Sequence, residues 1–464
     1  MVDPVKGQES VDQEDGDHQI DTLLKHFVQQ ADSLAETLPL TMYVVSAAFK
    51  HADEQYQKYI DENELRTVRE QDRTVVYVPD NHQHRFHKLA NRRDLCGIAT
   101  SNIPRVFVVS LVSHFDTLVG GMLRALFNHK RELLNASERS LTFKELSEFD
   151  SIEDAWNLII EKEVETVIRK SHLEQFEWME QKFKLPLRKD LPSWPVFLEV
   201  TERRNLFVHC DGVVSTQYLK MCREHGFPMC EHIAAGAKVE VTRDYFRRVH
   251  ECVMEIGIKL CHVLWRKLDP GSRSAADRSL NNVCLQMIVD SRYRLAMNLL
   301  DFATNTLKAY SDDQSRRIFV INQVQAYKWS GDQQKALELL GAEDWSACDL
   351  NFQLAVTVLR DEFVDAADLM RKIGAKSAPS KDSYLQWPLF KEFRKTEAFK
   401  TAFEGVFGEK PSAISSEIEQ PDAPDSEVNK PDPAKEAAPV GPSQLNEPIC
   451  QRAVPPSLPG PADS

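Results

Sequence analysis

"PRVFVVSLVSHFDTLVGGMLRALF", residues 104–127, contains the most apolar run of the chain, from Val106 to Phe127. A run of that length would suit a membrane span of about 20 residues. His114, Asp116 and Arg124 interrupt it, however, and Gly120-Gly121 stands in its middle. Ionisable groups are costly in hydrocarbon. The stretch therefore reads as a buried core helix that opens at Pro104, where a missing N–H does no harm, and runs to Leu134.

Working outward, the same helical spacing recurs. Trp156, Ile159, Ile160, Val164, Val167 and Ile168 fall three and four residues apart and predict a second helix over 152–184. "LPLRKDLPSWP" (185–195) is a proline-punctuated loop, and a third helix follows from Val196 to about Cys210. After a loop of small residues (225–238), Phe246, Val249, Val253, Ile256, Leu260 and Leu264 line one face of a fourth helix, Val241 to Leu268. Four such helices over 100–268 predict a bundle. Upstream, 19–99 is mostly helical, from about Ile20 to Asp72 with a break near Asp61-Glu62-Asn63. "TVVYVP" (74–79) is a strand candidate there. No role is assigned to 19–99.

Past Asp269-Pro270-Gly271 the texture changes. "NQVQAYKWSGDQQKALELL" (322–340) has Ala326-Tyr327, a Gly331-Asp332 turn, then Ala336-Leu337 and Leu340. A second copy spans 354–374, with Ala366 thirty residues after Ala336, and a weaker one spans 293–307, with Ala296 forty residues before it. This pattern resembles degenerate tetratricopeptide (TPR) repeats, whose period is about 34. The aromatic-rich segment 384–408 is the expected terminal cap of a short helical solenoid over 272–408. The resemblance implies a protein-binding surface.

Both ends have another composition. Residues 1–18 hold six acids and one lysine, and 411–464 hold nine acids, three bases, twelve of the 23 prolines and no aromatic residue. Such segments cannot bury enough apolar surface to offset chain entropy, so disorder is expected for 1–18 and 409–464. They carry most of the net charge of -14, and the body between them is close to neutral. Nine scattered cysteines, an odd number, fit reduced thiols in a cytoplasmic protein without a secretory signal.

"TERRNLFVHCDG" (201–212) carries the chemistry. On a helix Asn205 and His209, at i and i+4, share a face, and the long side chain of Arg204 can swing onto it. Asp211-Gly212 stops the helix and leaves His209 in its last turn. RNA cleavage needs a group that moves a proton near neutral pH and a fixed cation on the phosphate. Histidine and arginine supply these without a metal. The set resembles the Arg-Asn-x-x-x-His signature of HEPN domains, α-helical domains of prokaryotic toxin–antitoxin, abortive-infection and CRISPR systems. The resemblance covers roughly 100–268. It implies a homodimer in which two sets face each other as a composite, cofactor-free endoribonuclease site, with Arg204, Asn205 and His209 as the catalytic positions. Asp116 is a weaker candidate for a supporting polar group. The bland alternative is a charged helix face with a capping histidine, in a non-catalytic HEPN/TPR-like scaffold.

Other constellations are weaker. Cys222, His225, Cys230 and His232 match no common structural zinc spacing and read as loop residues and buried thiols. "RDYFRRVH" (243–250) and "HKLANRR" (87–93) are basic, and read as solvated faces before they read as RNA contacts. There is no phosphate-binding glycine loop, no Gly-x-Ser-x-Gly elbow and no His-Glu-x-x-His helix. The expected partners are an RNA substrate, a second copy of the chain and a protein at the repeats. Neither DNA nor a membrane is expected.

Overall fold

Ile20, Leu24, Phe27 and Ala31 recur at three- and four-residue intervals and are all buried along one face of a 44-residue helix, α1 (Gln19–Glu62). The computed structural model describes residues 19–70, 73–134, 142–189, 191–227 and 233–411. Both expected disordered tails lie outside the described residues, apart from 409–411. α1 ends at the anticipated break. In the hairpin after it, β1 (Thr67–Glu70) pairs antiparallel with β2 (Arg73–Val76), with Thr67 opposite Val76.

α2 (Asp80–His129) begins well before Pro104 and takes that proline into its interior. A proline there removes one helical hydrogen bond and costs about 3 kcal/mol. Pro104 is buried, so packing offsets the loss. The turn before it carries side-chain bonds of its own, Thr100 Oγ1 to the Gly97 carbonyl (2.7 Å) and Ser101 Oγ to that of Ile98 (3.1 Å). A 3-10 turn (Arg131–Leu134) and α3 (Phe143–Leu146) lead to α4 (Ile152–Ile168) and α5 (His172–Phe183). One helix was expected where these two lie. Ser171 divides them, because it and Glu174 form a capping box that starts a new helix. Then come α6 (Trp194–His209), α7 (Thr216–Glu224) and α8 (Arg243–Leu268).

Three helical hairpins complete the layout: α9 (Arg273–Val289) with α10 (Tyr293–Asp301), α11 (Asp313–Trp329) with α12 (Gln333–Gly341), and α13 (Leu350–Leu359) with α14 (Phe363–Ile373). Each turns through one left-handed residue, Ser291, Gly331 or Asp361. Each turn is closed by the same bond five residues back: Arg292 N–H to Met287 O, Asp332 to Tyr327 and Glu362 to Thr357, at 2.8–3.0 Å. Ala296, Ala336 and Ala366 therefore occupy one structural position, and each is buried. Asn322 and Gln323 of α11 bond Asn281 of α9 and Asp301 of α10, and Lys328 donates to Leu359 O and Asp361 at the next turn. α15 (Lys381–Gln386), two 3-10 turns (Pro388–Phe390 and Phe393–Lys395) and α16 (Glu397–Phe407) complete the core of the last hairpin with Tyr384, Phe390, Phe393, Phe399 and Phe403. Sixteen α-helices and one two-stranded hairpin among the described residues make the protein predominantly α-helical.

The helices divide into two compact units. The first takes the described residues up to Val28, Phe115–Ser193 and those from Val253 onward; the second takes Gln29–His114 and Trp194–Cys252. Within the first unit, helices approach closely where glycine allows it. A Cβ on Gly257 of α8 would meet the Phe27 ring at 2.7 Å, and one on Gly121 of α2 would meet Leu23 at 2.8 Å. Among the described residues α2 is long and apolar enough to cross a membrane by length and composition, and half of its most apolar window is buried.

Candidate functional site

The apolar residues of "WPVFLEVTERRNLFVH" make α6 a core helix of the second unit: Phe197, Leu198, Val200 and Leu206 are all buried. Two charged residues are buried with them. Glu199 is fully enclosed, and its carboxylate accepts from Arg203 Nε (2.6 Å), the Tyr218 hydroxyl (2.6 Å) and the Tyr245 hydroxyl (3.0 Å). The Arg203 guanidinium lies 4.0 Å from the centre of the Tyr245 ring and donates to the Glu240 carbonyl (3.3 Å). Burial alone would lower the pKa of Arg203, but the Glu199 carboxylate holds it raised. Burial, with Glu199 beside them, raises both tyrosines, so each phenol remains a protonated donor. Glu199 and Arg203 are one helical turn apart, a signal present in the sequence. The two tyrosines come from α7 and α8, which no local pattern could reveal.

The residues expected to act lie around the helix from this network. Arg204 and Asn205 are half-buried and His209 is exposed. Arg204 Nη1 donates to Asn205 Oδ1 at 3.1 Å, while its Nε is buried with no acceptor among the described residues. No hydrogen bond to the His209 ring is formed among the described residues.

The chain beyond His209 is tightly held. Asp211 (φ 49°) and Gly212 (φ 78°) both turn left-handed, and the Gly212 N–H returns to the Leu206 carbonyl at 3.0 Å. A short antiparallel bridge, Val213 opposite Lys238, clamps the exit, with Val239 N–H on Gly212 O and Val214 N–H on Ala237 O. The Asp211 carboxylate takes Lys238 Nζ at 2.7 Å and Arg105 Nη1 at 3.1 Å. The Lys238 hydrogen bond, then the two positive charges, hold its pKa below the usual carboxylate value. Arg105 is buried on α2 and also reaches the Asp211 carbonyl (3.3 Å). Two cations thus share one carboxylate beside the end of α6, a local positive excess. The sequence marks Asp211 as a helix stop but gives no local sign of Arg105 and Lys238, which lie 106 residues before and 27 after it.

The remaining candidates fall elsewhere. Asp116 belongs to the first unit and pairs with His172 Nε2 at 2.9 Å. Cys222 is buried in an apolar cluster with Tyr218 and Val239, His225 ends α7, and Cys230 and His232 lie outside the described residues. In "RDYFRRVH" Arg243 and Arg247 are exposed, whereas His250 is buried with Nε2 3.1 Å from the Ala31 carbonyl. In "HKLANRR" Arg93 is taken by Asp53. No family model, no curated protein and no solved structure matches the chain.

Proposed function

We propose that the protein is a metal-independent endoribonuclease of the HEPN type, with a HEPN-like four-helix bundle over 100–268 and TPR-like repeats over 272–408. One observation carries this reading. An exposed imidazole ends α6 directly before a turn held by Arg105 and Lys238, on the helix that also bears Arg204 and Asn205. The 2′-hydroxyl of RNA attacks the adjacent phosphorus and gives up its proton. The bond to the 5′-oxygen breaks, and the products are a 2′,3′-cyclic phosphate and a 5′-hydroxyl. His209 moves one of the two protons. Arg204 holds the phosphate, Asn205 fixes the arginine, and no cofactor enters.

Two protons move and one histidine handles one of them. A two-fold homodimer paired through 100–268 supplies the second set. The three hairpins with equivalent turns and alanines support the solenoid reading. Their surface docks a protein partner that restrains or triggers cleavage, in a cytoplasmic toxin or antiphage setting.

The test is incubation of wild type and His209→Ala with structured RNA in the presence of a chelator. Wild type should leave 2′,3′-cyclic phosphate ends and the variant should leave the RNA intact. Equal cleavage by both removes His209 from the mechanism. An inert wild-type dimer supports the non-catalytic scaffold instead.

A further inference from the structure

Between Glu36 and Lys50, α1 carries thirteen consecutive residues without a charge, and α2 carries ten more between Asp94 and Arg105. On α1 this run is open: Leu40 is 68% exposed, Tyr43 78% and Val44 65%. On α2, Leu95 and Ile98, with Val106 just past the run, are exposed as well. The two runs are neighbours in the second unit. Arg93 bonds Asp53 and lies over the Tyr56 ring, which packs on Phe86, so the helices are antiparallel. Continuing that register places residues 40–50 beside 96–106. Contiguous exposed apolar surface of this kind marks an interaction site.

The spacing and charges of the α1 run select its occupant. Glu36, Leu40, Tyr43, Ala47 and Lys50 are all exposed and succeed one another at four, three, four and three residues. That is the seam spacing of paired helices, here about 21 Å long at 1.5 Å per residue. The seam is also self-complementary. A second α1 laid antiparallel, with a two-fold axis at Tyr43, sets Glu36 of one copy against Lys50 of the other at both ends. Within one chain Lys50 has, among the described residues, a single long and exposed contact, with Glu54 (4.0 Å), which is easily exchanged. The flanks add Asp32, Asp53 and Glu54 on α1 and Arg92, Arg93 and Arg105 on α2, a mixed border without the basic excess that draws a helix to an anionic membrane.

We propose that this face is a self-association surface at which two copies pair antiparallel through α1, about a two-fold axis at Tyr43, with α2 residues 95–106 at its margin. It rests on α1 and not on α6, so it holds whether or not the α6 site cuts RNA. If the chain also pairs through 100–268, the two surfaces together build a tetramer or a larger assembly.

The test uses the full chain and mass measurement by light scattering or sedimentation at micromolar concentration. Leu40→Asp and Tyr43→Asp should each halve the assembled mass while leaving the melting curve in place, since both side chains are exposed. Glu36→Lys should weaken association about tenfold, as should Lys50→Glu. The double variant Glu36→Lys/Lys50→Glu should restore it, an outcome that neither a membrane nor an unrelated partner would produce. A mass unchanged by Tyr43→Asp, or a double variant no better than the single ones, overturns the proposal. A monomeric wild type overturns it too, and flotation of that monomer with phosphatidylserine vesicles would assign the face to a membrane.

Discussion

Arg203 and Arg204 are neighbours on α6 and have the same side chain. The Arg203 side chain is 8% exposed, with Glu199, the Glu240 carbonyl and two tyrosines around it. Arg204 is half-buried, bonds one amide oxygen and keeps an N–H without an acceptor among the described residues. One residue along the helix is a rotation of about 100°, enough to carry a side chain from the core of the unit to its margin. Polar groups that hold a fold together are closed off and satisfied. Groups that act on a ligand are positioned but left with bonding capacity unspent. By that criterion Glu199 and Arg203 belong to stability, whereas Arg204, Asn205 and His209 are the residues that the proposed function uses.

The largest effect that sharpens this contrast should come from Glu199→Ala. It strands the Arg203 charge in the core and costs about 3–5 kcal/mol, the usual penalty for breaking a buried pair from one side. Chemical denaturation should show it, and an unchanged midpoint would mean that the network is not closed. Gly212→Ala should be intermediate. A Cβ at φ 78° lies 3.2 Å from the Val239 carbonyl, and a left-handed non-glycine residue costs about 1–2 kcal/mol. The same change loosens the turn behind His209, so RNA cleavage should fall further than stability does.

His262 tests burial without satisfaction. Neither ring nitrogen has a hydrogen-bond partner among the described residues, and the ring stacks on Trp265. Burial first, and then the charge of Arg266, pushes its pKa well below the histidine range. The folded state therefore binds the proton more weakly than the unfolded chain. Stability is full above about pH 6.5 and falls below it by up to about 1.4 kcal/mol per pH unit. His262→Phe should flatten that decline between pH 7 and pH 5 in thermal melts, and an unaltered slope would place the acid sensitivity elsewhere. The smallest effect on stability belongs to His209→Ala, which should move the melting temperature by no more than about 2 °C while removing cleavage. A large fall in stability would return His209 to the structural set.

Much of the helical layout could be read from local pattern because its determinants are local. The alanines at 296, 336 and 366 marked three equivalent positions, and the Ser171–Glu174 capping box was a readable start that the long apolar spacing over 152–184 concealed. Pro104 misled for a related reason. A proline suits a helix start in isolation, and only the packing around it keeps α2 continuous through it. The placement of Asn205 and His209 one turn apart at the end of one helix was legible from their spacing. Arg203 read as part of a charged face, because the tyrosines that bury it arrive 15 and 42 residues later in the chain. Arg105 and Lys238 were hidden in the same way.

The close fit of Gly257 against Phe27 has a consequence for biosynthesis. The two residues are about 230 positions apart, and at roughly 5–20 residues per second a ribosome takes about 10–50 s to cover that distance. For that interval the first turns of α1 exist as a helix-forming peptide with Phe27 uncovered by α8. The first unit cannot close vectorially. Its amino-terminal element waits for Val253–Leu268, and a nascent chain paused before residue 253 is an exposed client for chaperones and proteases.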